Sequence, residues 1–147
     1  MAGEKGNNNS IGFLEMIFQA VQSADYVGLL RNDTGPLTVL YVSLHTADPT
    51  AAGAQNSNEA AYTGYGRVSV ARTTGGWSIS GETITNVSPI TFGTSSSGPE
   101  TETWVGVGTA VSGAGVLLWA GPLGSSLIVN SGITPSFAAG QLSITEG

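Results

Sequence analysis

Short apolar segments separated by turn residues run through the chain from Leu37 onward and limit the fold more than any other feature. Each segment is shorter than an ordinary helix, and Gly, Pro, Asn and Ser punctuate the series. Many short strands at close spacing favour a mainly β fold, a single antiparallel β-sandwich or jelly-roll-like domain. The predicted strands are Leu37–Leu44, Tyr65–Arg72, Trp77–Ser80, Thr83–Val87, Ile90–Phe92, Thr103–Ala110, Val116–Trp119, Leu127–Asn130 and Gln141–Thr145.

The first of these segments is apolar at successive positions, which is typical of a central strand covered on both faces. A turn at Asp48-Pro49 follows it, and the low-complexity stretch Thr50–Asn58 is predicted to be an exposed loop. A second turn is expected at Gly121-Pro122. The candidate core residues are Leu40, Val42, Leu44, Val68, Val70, Val105, Val107, Leu118 and Ile144.

One helix is predicted before the strands. Ser10 is a suitable N-cap, and apolar residues recur at helical spacing after it, which indicates an amphipathic helix over residues 10–24. The predicted organisation is a flexible polar arm at residues 1–9 and a β-rich domain at residues 10–147 that this helix opens. The apolar stripe either packs on the domain's own sheet or contacts a neighbouring subunit. The candidate assembly-interface residues are therefore Ile11, Leu14, Phe18 and Val21.

Charge excludes two classes of partner. Four basic residues face ten acidic ones, for a net charge of −6, and the basic residues are scattered along the sequence. Binding to phosphate backbones needs clustered Lys and Arg, so we expect neither nucleic acid nor a membrane as partner. The apolar run near the N-terminus is interrupted by polar residues, so it predicts neither a secretory signal nor a membrane span. The absence of cysteine excludes disulfides and thiolate metal ligands.

Catalytic chemistry finds little support in the sequence. His45 is the single histidine, and Asp48 could orient it as a base, but no G-x-S-x-G motif supplies a nucleophile. We expect His45 to end its strand and to hydrogen-bond into the Asp48-Pro49 turn. Glu100 and Glu102 lie two apart, so they share one face of a strand and cannot straddle a sugar bond. We predict that they form a solvated loop edge and that the chain has no catalytic residue.

Cofactor and metal sites are not predicted either. The glycines do not spell a phosphate-binding loop, and one histidine with dispersed carboxylates gives no zinc spacing. The alternative is calcium bound by loop oxygens of Asp48, Asn56, Asn58 and Glu59. Three tryptophans could stack sugars or bases, but aliphatic neighbours favour the core or a subunit interface for each of them, Trp77, Trp104 and Trp119.

Several segments resemble a family of small bacteriophage virion proteins. The first half carries LYVSLHTADP at Leu40–Pro49, Asn58-Glu59, and GYGR at Gly64–Arg67 leading into Val68–Arg72. The second half carries the segments Ile90–Phe92, WVGVG at Trp104–Gly108, LLWAGPL at Leu117–Leu123, Val129, Gly132 and FAAGQLSIT at Phe137–Thr145. The resemblance implies an all-β virion component that is made in the host cytoplasm.

Members of that family are described as head decoration (cement) proteins or as tail-fibre-like proteins, so two roles remain open. Size and the lack of a fibre-forming repeat favour cement, a homotrimer bound to the major capsid protein on the capsid surface. The alternative is a tail or neck fibre-like module for host attachment. Outside the virion, the competing class is a carbohydrate-binding β-sandwich, which would need exposed aromatic residues on one face or a calcium-lined loop.

Overall fold

The structure, a computed structural model, describes residues 14–20 and 37–145. This part of the chain contains one short helix, α1, at residues 14–18, and nine strands. The strands are β1 (Val39–His45), β2 (Val68–Ala71), β3 (Trp77–Ser80), β4 (Thr83–Asn86), β5 (Ile90–Thr91), β6 (Glu100–Gly108), β7 (Leu117–Val129), β8 (Ser136–Phe137) and β9 (Ser143–Thr145). The predicted class, mainly β with one N-terminal helix, is confirmed.

The strands form three sheets in which every described pairing is antiparallel. Their orders are β2-β1-β6-β7, β3-β4-β9 and β5-β8. Side chains from all three sheets and from α1 enter one hydrophobic cluster. Of the predicted core, Leu40, Val42, Leu44, Val105 and Val107 are buried, while Val68, Val70, Leu118 and Ile144 are partly buried against the same cluster. The sandwich-like arrangement follows from this shared core.

β7 corrects the predicted turn at Gly121-Pro122, because one continuous strand replaces the two shorter ones expected there. β7 lies at the edge of its sheet among the described residues, and edge strands are where proline is found within sheets. The register also shifts within it, since residues 123–126 lie opposite Thr103 alone. This bulge absorbs the chain that the sequence assigned to a turn. β8 was missed because a two-residue strand has no alternation to detect; only its pairing with β5 defines it.

Helix α1 packs on the domain's own sheets. Leu14 and Phe18 are fully buried, and the Phe18 ring lies 4.8 Å from Trp77 and 5.0 Å from Trp119 between centroids. The predicted helix over residues 10–24 is not continuous, because α1 ends at residue 18 and Ala20 has a φ of 54°, a left-handed conformation; residues 21–24 lie outside the described residues. The predicted arm at residues 1–9 and the start of the helix lie outside the described residues.

An arginine fixes the end of α1 to the sheet. Arg72, which follows β2, donates from Nε to the Ile17 carbonyl at 2.5 Å and from Nη2 to the Met16 carbonyl at 2.6 Å. It also donates to the carbonyl of Leu37, just before β1. The Met16 and Ile17 carbonyls lie in the last turn of α1 and have no partner within the helix, and a positive charge at this end also interacts favourably with the helix dipole. Arg72 therefore joins three separate parts of the chain.

Candidate functional site

Small and polar residues occupy part of the outer face of strands β1 and β6, the face turned away from the core. Ser43 and His45 are fully buried there, and Gly106 lies directly opposite Ser43. A Cβ at Gly106 would come within 2.7 Å of His45 Nε2, and one at Gly108 within 2.4 Å of Gln55 Cδ. The glycines of WVGVG therefore make room for a buried polar layer that the loop of residues 46–66 closes.

His45 is held by two hydrogen bonds. Its Nδ1 lies 2.8 Å from the Ser57 carbonyl, and its Nε2 lies 2.9 Å from Ser43 Oγ. A carbonyl can only accept, so Nδ1 carries the proton and the Ser43 hydroxyl donates to Nε2. Burial lowers the pKa of His45, which favours this neutral form. The predicted bond to the Asp48-Pro49 turn is wrong: Asp48 Oδ1 accepts from the Thr50 amide instead, at 2.8 Å.

The burial of Gln55 differs most from what the sequence predicts. The residue was expected in an exposed loop, yet its side chain is fully buried. Its Nε2 donates to the Tyr41 carbonyl at 2.8 Å, and its Oε1 accepts from the Ala110 amide at 3.2 Å. Its own amide donates to the Ala114 carbonyl at 2.6 Å. The loop is irregular but closely packed, and only the glycines across from it could have indicated this.

Glu59 and Arg67 form a bidentate ion pair beside this layer. Arg67 Nε and Nη2 donate to the two carboxylate oxygens at 2.6 and 2.7 Å, and the Tyr65 hydroxyl donates to Glu59 Oε1 at 2.8 Å. The hydrogen bonds from Arg67 to Glu59 raise the pKa of the guanidinium, and burial raises the pKa of the Tyr65 phenol. The Arg67 side chain is only 2% exposed, so the pair is largely removed from water.

The alternative calcium ligands are not gathered into a site. Glu59 is occupied by Arg67, and Asn58 Nδ2 donates to the backbone carbonyl of Asp48 at 2.9 Å. Over residues 14–20 and 37–145, no group of three His, Cys, Asp or Glu side chains is arranged to hold a metal ion.

The loop between β6 and β7, residues 109–116, is the most exposed apolar feature near this cluster. We call it the hairpin tip. Val111 is 63% exposed and Val116 is 56% exposed at its two sides. Its backbone is nevertheless fixed, because Arg67 donates to the carbonyls of Ala110 at 2.8 Å and Gly113 at 2.7 Å. The ion pair thus supports a rigid tip that presents apolar side chains to solvent.

The prediction that Glu100 and Glu102 form a solvated loop edge is wrong, because both lie in strand β6. Glu102 is fully buried, and burial together with the neighbouring Glu100 raises its pKa to about 8. Glu100 is half-buried, and its Oε1 accepts from the amides of Ala61 at 2.8 Å and Tyr62 at 3.0 Å. The 60–64 segment covers this end of the strand, where Glu102 is fully buried and Glu100 stays partly exposed.

Two of the four predicted interface residues are described, and both are in the chain's own core: Leu14 and Phe18 are fully buried. Ile11 and Val21 lie outside the described residues. An interface role for this stripe stays a prediction. Among the apolar side chains of α1, Met16 and Ile17 are half-buried and are the ones that remain partly exposed. No helix among the described residues combines the length and apolar character of a membrane span.

The tryptophans occupy positions consistent with packing. Trp77 is fully buried at the centre of the core, whereas Trp104 and Trp119 are half-buried on β6 and β7. The Trp77–Phe18 contact is edge-to-face, with an interplanar angle of 72°. Trp77 and Trp119 therefore form part of the surface against which α1 packs.

Comparison with known proteins identifies the family. A family model described as Podophage GP4 fiber I protein gp80 matches residues 28–145, a range that contains all nine described strands. No curated protein gives a significant match. The predicted relationship to phage virion structural proteins is confirmed, and the description of the family names a fibre protein, which fits the fibre-like alternative better than capsid cement. The chain belongs to the Podophage GP4 fiber I protein gp80 family of phage virion structural proteins.

Proposed function

We propose that this chain is a non-enzymatic, fibre-type module of a phage tail or neck that presents loops for host attachment. The observation that carries the proposal is the family match, which spans the whole described β-body and not one strand or motif. The description of the family as a fibre protein favours this role over cement. Partners in the particle are then a second copy of the chain and neighbouring tail or neck proteins.

The hairpin tip supports a role in attachment. Arg67 and Gln55 hydrogen-bond to the backbone of the hairpin tip, so Val111 and Val116 are held in place before a partner binds. A loop that is already ordered loses less conformational entropy on binding than a flexible one. The buried polar residues around it act on the fold: His45, Glu59 and Arg67 each bind groups of their own chain.

The location in the particle tests the proposal most directly. Quantitative mass spectrometry of purified virions, combined with antibody labelling in electron microscopy, should give a few copies per particle at the tail or neck. Phage in which the gene is inactivated should form filled heads of normal heat stability that fail to adsorb to cells. A copy number that scales with the major capsid protein, labelling over the capsid surface, and early loss of DNA from mutant heads would establish cement instead.

A further inference from the structure

The carboxyl groups of Glu100 and Glu102 meet on one face of strand β6 in a way that two ionised groups would not. Neither carboxylate oxygen of Glu102 receives a hydrogen bond from an N–H or O–H group, although the side chain is fully buried. The nearest acidic neighbour along the strand is Glu100, two residues before it in β6, so the two side chains lie on the same face. Two carboxylates are both acceptors, so this contact is attractive only when one of them carries a proton.

The surroundings favour a proton over a metal ion. The titratable groups that face Glu102 are Glu100 on its own strand and the phenol of Tyr62 from the segment before β2. Opposite Glu102, β7 supplies the apolar Leu127. Calcium takes about six to eight oxygen ligands, and the described residues gather no third acidic side chain here.

We propose that Glu100 and Glu102 share one proton in the folded protein and form a pH-sensitive latch that holds the 60–64 segment on β6. Glu100 is the link, because the same carboxyl group accepts from the amides of Ala61 and Tyr62. Loss of the proton places a second negative charge beside the first, on the fully buried Glu102 side chain. The charges repel, and Glu100 loses its fixed position under the two amides.

The direction of the pH effect follows from linkage. Burial raises the pKa of Glu102 to about 8 in the folded protein, against 4.5 for an ordinary glutamate. A raised acid pKa means that the folded state binds the proton more tightly than the unfolded state does. The stabilisation is therefore complete below pH 4.5, declines above it, and is lost as the pH rises through about 8.

A titration of the wild-type protein followed by ¹³C NMR of the glutamate carboxyl carbons tests the proposal without any variant. One resonance should titrate near pH 8, and Glu102→Gln should remove it. Hydrogen exchange, corrected for intrinsic rates, should show weaker protection of the Ala61 and Tyr62 amides above pH 8 than below it in the wild type. Glu102→Gln, which cannot ionise, should protect both amides equally at the two pH values. Glu82→Gln, outside the pair, is the matched control and should behave as the wild type.

Glu100→Gln keeps an acceptor for the two amides and provides a second variant if Glu102→Gln does not fold. It removes the neighbouring charge, so the Glu102 resonance should titrate at lower pH than in the wild type. Titration of every glutamate in the ordinary acidic range would overturn the proposal. So would a saturable response of the Glu102 resonance to Ca²⁺ that Glu102→Gln abolishes, because the pair would then bind a cation in place of the proton.

Discussion

Arg67 is the residue on which several parts of the molecule depend, because one guanidinium group binds Glu59 twice and also two carbonyls of the hairpin tip. Arg67→Ala leaves the Glu59 carboxylate partly buried without its partner, which costs about 3–5 kcal/mol for comparable buried pairs. We expect a loss of that size in the free energy of unfolding, measured by urea denaturation. Arg67→Lys, which keeps the charge but not the two-pronged geometry, should lose a smaller part.

A double-mutant cycle separates the pair from its surroundings. Glu59→Gln combined with Arg67→Met should cost less than the sum of the two single changes, since the second replacement removes the group that the first leaves unpaired. Strict additivity would show that the two side chains stabilise the fold independently.

Gly106 allows a sharper test of the buried polar layer. A Cβ there would lie 2.7 Å from His45 Nε2, 2.9 Å from Leu117 Cδ1 and 3.0 Å from Ser43 Oγ. Gly106→Ala should therefore destabilise the protein by about 1–3 kcal/mol through overpacking, and its thermal unfolding midpoint should fall. Gly121→Ala on the neighbouring strand is the control, because a Cβ at Gly121 meets nothing within 4 Å. Equal stability of the two variants would contradict the packing described here.

At this scale, the sequence predicts apolar burial better than polar burial. Val42 and Val107 could be assigned to the core because strand alternation follows from covalent geometry. Gln55 and Glu102 could not, because their burial depends on segments distant in sequence: Gln55 binds residues of β1 and the hairpin tip, and the 60–64 segment covers Glu102's strand. Nothing in the local pattern of either residue reports that contact.

Among the elements, α1 contributes more to the core than its length suggests. Phe18 is fully buried between Trp77 and Trp119. Phe18→Ala should cost about 3–5 kcal/mol by lost burial and cavity formation, and calorimetry should show a lower unfolding midpoint. Glu15→Ala, on the half-buried side of the same helix, should change stability by less than about 0.5 kcal/mol. An unchanged midpoint in Phe18→Ala would mean that α1 does not pack on the sheets in solution.

The same packing changes what removal of the N-terminal segment should do. A stripe free for a neighbouring subunit could be deleted without harm to the β-body, whereas deletion of residues 1–22 removes Leu14 and Phe18 from the core.

The extent of the strands shows a limit of sequence patterns at the same scale. Alternation located most strands, but it could not reveal that β7 continues through Gly121-Pro122, since only the bulge opposite Thr103 and the edge position permit it.

On the scale of the whole molecule, the shortage of charge points to self-association. Only 10% of the residues are charged, and β7 is an edge strand of the described sheets with no charged side chain among its 13 residues. Soluble monomers usually protect such edges with lysine, proline or a bulge, and Pro122 with the bulge at residues 123–126 protects only part of this one. Covering the remainder with a second copy fits a module that is assembled into a particle.

The isolated protein should therefore sediment as an oligomer at micromolar concentration, and β7 should carry part of the contact. Ile128 is 56% exposed on this strand, so Ile128→Lys places a charge in the proposed interface and should shift the population toward monomer in analytical ultracentrifugation. Val87→Lys is the matched control, because Val87 is 41% exposed but follows β4, which belongs to a different sheet from β7. Association should depend little on salt, since few charges lie near the contact. A monomeric wild type would exclude self-association, and equal effects of the two lysines would place the contact away from β7.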